Sequence, residues 1–519
     1  MEGCPPSDSG SATPRNPRRL DGRQRLRGHW DVPRAVRERY LWLGLALAAL
    51  LPRALAATLR PPWHDEYFTV WATGLPLSEL IAALRLDSGP PLPYLLVRII
   101  TVIGVPALIA ARALAVAAGT AAVLLAARAA RRAFGTEAGW WTGAFLAFHP
   151  LAIAWSSEGR AYALLLLAAA WAWERLGALE NDQGTIGLGA AVALACWCHG
   201  LGLLLAAVVA AVGMTLPRPQ RLRALTAAGV GLASHIPWLP VAAHQPPAAI
   251  AWMAAFWRTV PPVPKLAAAV RLLSPLGGFG RFLDLPSPPV WAEAGGAVLL
   301  LALLASACRR REAAWRPLLG VLLPAGVLAA VTAIGGSVFY PGRGEALYLA
   351  PCAFVLGVSA ARSRPLRAAA ALLVAAAVAV STLALVRWAG RPPTPEQRLA
   401  SELRSRMPGG GEVVIGGYWR LGISYHLGDE RSSFRLINYP AEAALHPGWY
   451  EDRSDTPAPG ELARLLAALR PVRSCAVVVT PGLSTTVDLD RLAAGLGLQS
   501  AVTVPGGRLW VPTSGEAPR

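Results

Sequence analysis

The stretch Leu41–Tyr67, LWLGLALAALLPRALAATLRPPWHDEY, joins a long apolar run to a short acidic and aromatic motif. The run, Leu41–Leu59, has the length and composition of a helix that crosses a bilayer, which takes about 20 residues. The motif, residues 63–67 (WHDEY), follows where such a helix would leave the hydrocarbon. Comparable apolar runs recur as far as residue 387. The chain is therefore predicted to be an all-α polytopic membrane protein with polar chemistry at one membrane surface.

The overall composition agrees with a membrane protein. Of the 519 residues, 54% are hydrophobic and only 15% are charged, and the mean hydropathy is +0.42. A soluble protein of this size would need more charge to cover its surface. The formal net charge of +18 comes from Arg clusters between apolar runs, which are typical of loops that face anionic lipid. The lipid bilayer is therefore an expected partner, and nucleic acid is not.

Three parts are expected along the chain. Residues 1–39 are polar and rich in Arg and are predicted to be a disordered cytoplasmic tail, whereas 40–387 form the membrane module. Within its first outer loop, 60–106, the segment Pro91–Val105 is too short for a span and is predicted to be an interfacial helix. After the first span, further spans are expected at 107–127, 138–154, 161–177, 185–198, 200–216, 224–243, 290–307, 317–335, 345–361 and 368–387.

The distribution of Arg sets the orientation. Four alternate loops carry Arg clusters, at 128–132, 218–223, 309–311 and 362–367. Placing these loops inside gives about eleven spans, a cytoplasmic N-terminus and an extracytoplasmic C-terminus. Arg53 lies in the outer third of the first span, where its side chain either snorkels outward or faces the polar site. The preference for Arg over Lys and the abundance of Ala, Gly and Pro are typical of a G+C-rich genome, so a bacterial inner (plasma) membrane is the expected location.

Residues 388–519 change in character, because helical and strand patterns alternate there without long apolar runs. This alternation predicts a small extracytoplasmic α/β domain. The expected elements are a helix at Glu396–Met407, strands at Glu412–Gly416 and Phe434–Ile437, a helix at Gly460–Leu469, a strand at Ser474–Thr480, a helix at Leu489–Leu496 and closing strands.

The candidate chemistry lies in the WHDEY motif. Asp65 and Glu66 form a carboxylate pair at the membrane surface, where they would suit a reaction that needs a base beside a lipid headgroup. Cations would be needed there as well, to stabilise a departing phosphate. The plain alternative is a solvated loop or the start of a helix.

Further motifs follow in order on the same side of the membrane. With the WHDEY motif, they resemble the GT-C glycosyltransferases related to protein O-mannosyltransferases and to the lipid A aminoarabinose transferase. That family typically has D-E after the first span, then D-x-H-P-P-L-Y-Y, and later S-x-E-x-R-x-Y-A-L. The resemblance covers roughly residues 40–390. The residues that match are Asp65-Glu66, Asp87, Pro90-Pro91-Leu92, Tyr94, and Ser157, Glu158, Arg160, Tyr162, Ala163 and Leu164.

The resemblance implies roles for these residues. Asp65 would act as the base, with Glu66 catalytic beside it and Asp87 as a helper at the acceptor. Gly89 stands where the family usually has His and Pro93 where it has the first Tyr, so the protein either does without that His or recruits His64. A divalent metal, Mg²⁺ or Mn²⁺, would be held by Asp65 and Asp87.

Two arginines are the expected phosphate ligands. Arg160 resembles the Arg that meets the carrier phosphate, with Glu158 orienting it through a charge-assisted bond; an interfacial anchor pair is the alternative. Arg343 belongs to the segment 339–345, which resembles the family's F-x-P-R-Y except that Gly342 is inserted. Arg343 either binds the same phosphate or anchors the end of a span. His199, at an outer turn, is either a structural cap or a ligand.

These expectations combine into one functional hypothesis. The chain would transfer a sugar from a polyprenyl-phosphate-sugar donor to an extracytoplasmic acceptor, which could be a cell-envelope glycan, lipid or protein, by a single inverting displacement. One alternative is a transporter or flippase of a lipid-linked sugar, which normally has charged residues near the middle of its spans. The other is a non-catalytic scaffold in the cell envelope.

Overall fold

The computed structural model describes most of the chain. It divides the chain into two compact units, Met1–Gly44 and Leu45–Arg519; the features described below are those of the second unit and of helix α1. The described residues are 34–179, 184–246, 273–277, 283, 285–286, 289–308, 315–333, 342–416, 419–444, 457–472, 474–480 and 485–512.

Helices form the membrane module. Helix α1 begins at Arg34, within the predicted tail 1–39, so that the tail prediction was wrong for its last residues; 1–33 lie outside the described residues. The helices are α1 Arg34–Leu59, α2 His64–Gly74, α3 Leu77–Arg85, α4 Leu92–Thr101, α5 Ala107–Phe134, α6 Thr136–Phe148, α7 Pro150–Ser157, α8 Tyr162–Ala178, α9 Thr185–Cys198, α10 Gly202–Met214, α11 Arg218–Ala233, α12 Leu239–Ala242, α13 Val290–Cys308, α14 Trp315–Ala333, α15 Leu349–Ala360 and α16 Arg364–Ala389.

Every predicted span overlaps one or two of these helices, but not every helix is long enough to cross a membrane. Within the described ranges, five segments are long and apolar enough: Glu38–Leu59, Ala107–Phe134, Arg218–Ala242, Val290–Ala307 and Arg364–Ala389. The chain is therefore a multi-pass membrane protein, while the predicted count of about eleven spans is not confirmed.

The predicted span 138–154 illustrates the difference. It is divided between α6 and α7 at His149, whose backbone is extended (φ −62°, ψ 123°). Proline has no backbone N–H and disfavours helical geometry in the residue before it. Pro150 therefore ends α6 and begins α7.

Arg53 of α1 takes neither of the two predicted positions. Its side chain is fully buried. Its guanidinium donates to the carbonyl oxygens of Ala49 (2.8 Å), Leu146 (2.9 Å) and Ala147 (2.8 Å), and to Ser156 Oγ (3.2 Å). The carbonyls of Leu146 and Ala147 are available because the break at Pro150 removes their helical partners. Arg53 therefore joins α1 to the end of α6, and it neither snorkels nor faces the site.

The C-terminal part forms an α/β domain, as the sequence predicts. Its sheet has the order β2-β1-β3-β5-β4. Strand β1 is parallel to β2 and β3, and β5 is antiparallel to β3 and β4. Helix α18 was not predicted. The elements are α17 Pro395–Arg406, β1 Gly411–Gly416, α18 Arg420–Leu427, β2 Phe434–Tyr439, α19 Glu461–Leu469, β3 Cys475–Val479, α20 Thr486–Gly495, β4 Gln499–Val504 and β5 Gly507–Val511.

Alternating side chains of the sheet build a core on each face. Val413 and Ile415 of β1 pack in the core that includes α17 and α18, whereas Val414 packs in the core that includes α19 and α20. This alternation follows from the two-residue period of a strand. The α17 and α18 layer lies toward the membrane module, where Leu421 of α18 packs in a cluster with Tyr67 of α2.

Candidate active site

The WHDEY motif forms the first turn of α2, with Asp65 and Glu66 at successive positions. Acidic side chains are favourable in the first turn of a helix, since the helix dipole is positive there. Successive helical residues point about 100° apart. The two carboxylates therefore have different surroundings, and the structure separates their roles.

Glu66 is held by the protein on both of its oxygens. Its carboxylate is fully buried and accepts from Arg112 Nε and Nη2, each at 2.7 Å, in a bidentate pair. The backbone N–H of Gly159 donates to Glu66 Oε1 at 2.9 Å. Arg112 also donates to the carbonyls of Ala57 and Arg60. Glu66 thus joins α2, α5 and the turn before α8, and the geometry favours a structural role over the expected catalytic one.

Arg112 was not among the residues that the sequence predicted for the site. The signal was present, because an Arg inside the apolar run 107–127 must be paired or face a polar cavity. What the sequence could not provide was the identity of its partner, since Glu66 lies 46 positions away.

Asp65 faces cationic side chains. Its Oδ2 lies 3.7 Å from Arg160 Nε and 3.8 Å from Arg343 Nη2, and its Oδ1 lies 3.1 Å from His64 Nε2. Burial alone would raise the pKa of Asp65, but Arg160, His64 and Arg343 outweigh it and hold that pKa well below its usual range. His64 thus contacts Asp65, while its recruitment in place of the missing family histidine stays a prediction.

Arg160 follows the turn at Gly159. Its Nη1 approaches the Asp65 carbonyl (3.4 Å), Thr69 Oγ1 (3.5 Å) and Tyr94 Oη (3.4 Å). Burial would lower the pKa of Arg160, but Tyr94 and Asp65 raise it above its usual range, so the guanidinium stays charged. These contacts are long, and the side chain is 20% exposed. It can therefore accept an additional anionic partner.

Arg343 is presented by a tight turn. Gly342 has φ 88°, the left-handed region that favours glycine. Its N–H donates to Glu345 Oε2 and its carbonyl accepts from Trp155 Nε1, both at 2.8 Å. The inserted glycine therefore shapes the loop that carries Arg343; residues 339–341 of the motif lie outside the described residues.

A cavity lies beside the two arginines. Arg160 and Arg343 line it together with residues from α2, α4, α8, the Asp87 turn and the turn after α9. The remaining lining residues are Thr69, Asp87, Ser88, Gly89, Pro90, Pro93, Tyr94, Gly159, Ala161, Tyr162, Cys198 and His199. The ordered motifs of the sequence thus converge on a single cavity, with Asp65 in contact with its two arginines.

Two of the lining residues have polar side chains of interest. Asp87 is largely buried, and its Oδ1 accepts from the N–H of Ser88 at 2.7 Å. His199 Nδ1 accepts from the N–H of Leu201 at 3.1 Å, which is a structural cap. Burial, Arg343 and Arg160 together lower the pKa of His199 to about 3, so its imidazole is neutral. His199 therefore serves both as a cap and as a neutral wall of the cavity.

The expected pairing of Glu158 with Arg160 was wrong. Glu158 Oε2 forms its ion pair with Arg60 Nη1 at 3.1 Å. Glu158 does not line the cavity, and its ion pair joins it to Arg60 just after α1. Burial raises the pKa of Glu158 to about 7 despite the opposing effect of Arg60.

In the described part of the chain no three His, Cys, Asp or Glu side chains are grouped closely enough to hold a metal ion by themselves. A Mg²⁺ ion can be held by one or two carboxylates together with water and substrate phosphate, so a metal at Asp65 and Asp87 stays a prediction. Asp65 is surrounded by donors and cations, and Asp87 Oδ1 accepts from the backbone. The guanidiniums of Arg160 and Arg343 already supply positive charge where Mg²⁺ or Mn²⁺ was expected.

The helical membrane module with its small appended α/β domain has the fold of two solved structures of ArnT from Cupriavidus metallidurans. The one bound to undecaprenyl phosphate has a TM-score of 0.62 at 13% identity, covering 93% of this chain and 100% of that one. The apo structure has a TM-score of 0.59 at 14% identity, covering 92% and 98%.

A further solved structure is less similar to this chain. The Archaeoglobus fulgidus oligosaccharyltransferase has a TM-score of 0.47 at 14% identity, covering 89% of this chain and 72% of that one. No family model and no curated protein sequence matches the chain. The predicted resemblance to the GT-C group of the lipid A aminoarabinose transferase is thus confirmed by the fold.

Proposed function

We propose that this protein is an integral membrane glycosyltransferase. It transfers a sugar from a polyprenyl-phosphate donor to an extracytoplasmic acceptor in the bacterial inner membrane. The observation that carries the proposal is the convergence of Arg160 and Arg343, 183 positions apart in sequence (343 − 160), on the carboxylate of Asp65 at one cavity. The shared fold with ArnT, a protein solved with undecaprenyl phosphate, supports the choice of donor.

The two arginines are the donor site. Guanidinium groups recognise phosphate oxygens in a bidentate manner, and both side chains are partly exposed to the cavity, at 20% and 25%. Their ion pairs with Asp65 are long, at 3.7 and 3.8 Å, so a phosphate can compete for them. A phosphodiester anion at this boundary needs such compensation, because an unpaired charge near low dielectric is costly.

Donor binding also prepares the base. In the empty site the cations depress the basicity of Asp65, which makes it a poor proton acceptor. When the phosphate takes up Arg160 and Arg343, their positive charge is shared with the donor, and the pKa of Asp65 rises toward its usual value. The order of events is therefore donor first and acceptor activation second.

The transfer itself is a single displacement. Asp65 takes the proton of the acceptor hydroxyl, whose oxygen forms a bond to the anomeric carbon from the face opposite the phosphate. The bond between that carbon and the phosphate oxygen breaks, and polyprenyl phosphate leaves with one more negative charge than it had in the donor. Arg160 and Arg343 stabilise this growing charge more in the transition state than in the ground state. The anomeric configuration is inverted.

Other residues keep supporting roles in this proposal. Glu66 fixes the first turn of α2 through Arg112, and so holds Asp65 in place. Asp87 and His199 line the cavity where sugar and acceptor hydroxyls would bind, the first as an acceptor of hydrogen bonds. In this proposal the two guanidiniums neutralise the charge of the phosphate.

A transporter is less well supported. Its charged residues would face a pathway near the middle of the spans. Two of the charged residues buried in the described helices, Arg53 and Arg112, instead bind protein carbonyls, Ser156 or Glu66. A third, Glu174, pairs with arginines near the end of α8. The non-catalytic scaffold is also less well supported, because binding a partner does not require two arginines that share one carboxylate at a cavity.

The test compares donors in a purified assay. The protein in phospholipid vesicles is given either a polyprenyl-phosphate sugar or a nucleotide sugar, with a membrane extract as acceptor. We expect transfer only from the polyprenyl-phosphate sugar. Arg160→Ala should lower kcat/KM by roughly tenfold to a hundredfold, because one or two charged hydrogen bonds to the phosphate are lost. Arg160→Lys should restore part of the lost kcat/KM.

The matched control is Arg98→Ala. Arg98 belongs to α4 near the same cavity but donates to the carbonyl of Leu75 and does not line the cavity. It should keep most of the activity. Efficient transfer from a nucleotide sugar, or full activity of Arg160→Ala, would exclude the proposed donor site.

A further inference from the structure

A second cavity lies at the opposite end of the helical bundle. Helix α8 begins with Tyr162 at the candidate active site, whereas Trp173 and Leu176, three turns further along, line this second cavity. Residues near the end of α5, including Arg132 and Phe134, form another wall. The cavity is therefore separated from the active site by the length of α8 and is independent of the proposed transfer reaction.

Most of its walls are apolar. Large side chains from α5, α8, α10 and α15 provide the surface, and the only charged groups among the described lining residues are Arg132 and Arg316. Gly320 of α14 lies so close to α8 that an added Cβ would be 2.3 Å from Trp173. This close approach holds the start of α14, with Arg316, against the cavity. The large apolar lining residues are Phe134, Trp173, Leu176, Val212, Leu216 and Phe354.

Among the described residues around Glu174, positive charge exceeds negative charge. Glu174 is fully buried and forms ion pairs with Arg128 (3.3 Å), Arg132 and Arg175 (2.5 Å). One carboxylate thus faces three guanidiniums, which leaves an excess of two positive charges (3 − 1). Arg316 adds a third, and its Nε is buried without a hydrogen-bond partner in the part of the chain that the structure describes.

We propose that this cavity binds the headgroup of an anionic phospholipid. A phosphodiester offers Arg132 and Arg316 the oxygens that guanidinium groups bind best. Basic pockets between membrane helices are typical sites for anionic lipid headgroups. The apolar walls would contact the acyl chains, and for this reason a lipid fits the cavity better than a free anion does.

The test measures lipid retention by the full-length protein. The protein is reconstituted in nanodiscs of phosphatidylglycerol and phosphatidylcholine and then extracted into detergent, and the lipids that remain bound are counted by native mass spectrometry. We expect wild-type protein to retain phosphatidylglycerol in preference to phosphatidylcholine. Arg316→Gln should lower that retention roughly tenfold, the effect of one charged hydrogen bond.

Arg316→Gln is a suitable variant because the Arg316 Nε makes no hydrogen bond to the described residues. The matched control is Arg367→Gln, which removes the same charge from the N-terminal end of α16. Arg367 is half-exposed, pairs with Glu137 at 2.7 Å and does not line the cavity. Arg367→Gln should retain phosphatidylglycerol as the wild type does.

Three outcomes would overturn the proposal. Equal losses in Arg316→Gln and Arg367→Gln would mean that general surface charge attracts the lipid. Equal retention of phosphatidylcholine would mean that the headgroup is not recognised. If inorganic phosphate displaces phosphatidylglycerol at millimolar concentration, the cavity is a site for free anions. None of these outcomes depends on whether the protein is a glycosyltransferase.

Discussion

Asp65 combines two properties that oppose each other, the proposed role of a general base and a pKa held well below its usual range. The structure explains the second by the contacts of Asp65 with Arg160, Arg343 and His64. In the proposed reaction the donor phosphate binds Arg160 and Arg343 and so weakens their contacts with Asp65. The effect of substitution at Asp65 should therefore differ between donor binding and turnover.

We expect Asp65→Asn to lower kcat by about 10² to 10⁴, the usual contribution of a general base. Donor binding should be unchanged or tighter, because the competing anion is gone from Arg160 and Arg343. The measurements are single-turnover kinetics and a donor titration on the same purified protein. Glu79→Gln, an exposed acidic residue in the first turn of α3, is the control. Near-normal turnover of Asp65→Asn would move the base to another residue.

Burial of Glu158 makes the stability of the protein depend on pH. Burial raises its pKa from 4.5 to about 7, so the folded protein holds this proton more tightly than the unfolded chain does. The resulting stabilisation is complete below the unfolded pKa and is lost as the pH rises through about 7. Glu158→Gln is neutral at every pH. Between about pH 5 and pH 8, the melting temperature of Glu158→Gln should therefore fall less than that of the wild type. A single titrating group changes the free energy of unfolding by at most about 1.4 kcal/mol per pH unit.

The measurement is thermal unfolding of detergent-solubilised protein at several pH values. Glu79→Gln should keep the pH dependence of the wild type, since Glu79 is exposed. If the Glu158→Gln curve is parallel to that of the wild type, the carboxyl of Glu158 is already ionised at acidic pH in the folded state.

Elements are joined at the site by Glu66 and Arg112. Their buried bidentate pair connects α2 to α5, and the Gly159 N–H adds the turn before α8. Removing one partner of a buried pair leaves an uncompensated charge and costs about 3–5 kcal/mol. We therefore expect Glu66→Gln and Arg112→Gln each to lower the melting temperature clearly, with loss of activity following from loss of structure.

A double variant separates this structural role from a catalytic one. Glu66→Leu combined with Arg112→Met removes both charges, so no unpaired ion remains, and stability should return in part. Thermal unfolding and transfer activity are measured together. Activity lost from Glu66→Gln at unchanged melting temperature would instead support the catalytic role predicted from the sequence.

The sequence predicts individual elements well where the local pattern is sufficient. Thr185–Cys198 was predicted at its observed bounds, since apolar residues fill the whole run between a glycine and His199. The 138–154 segment was predicted as one span because apolar composition hid the effect of Pro150. The partners of Arg112, Glu158 and Arg53 could not be predicted, because each contact crosses about 46 to 103 positions of sequence and depends on how the helices pack.

For the whole molecule, the order of motifs was more informative than the number of spans. Asp65, Asp87, Arg160, His199 and Arg343 occur on loops or helix ends that the predicted topology places on one side, and the structure brings the last four to one cavity with Asp65 in contact. The number of membrane spans was predicted less well. Several helices of this bundle have only 10–17 residues, and hydropathy cannot distinguish a short span from a buried helix.

The orientation of the whole molecule can be tested directly. Because Arg clusters are expected to remain inside, a reporter that is active only in the periplasm should work when fused after Arg519. The same reporter fused before Met1 should be silent, and a cytoplasmic reporter should give the reverse pattern. A cytoplasmic reporter that is active after Arg519 would place the α/β domain and the candidate active site on the inner side.

Arg53 also has a consequence for how the protein is made. The guanidinium lies in the first membrane helix, but the carbonyls and hydroxyl that bind it from outside that helix are contributed 93 to 103 residues later. At a synthesis rate of about 5–20 residues per second, these partners are made roughly 5 to 20 s after α1. Until then, Arg53 has only the Ala49 carbonyl of its own helix among its final partners. We therefore expect α1 to reach its final position in the membrane only after α6 and α7 have been made.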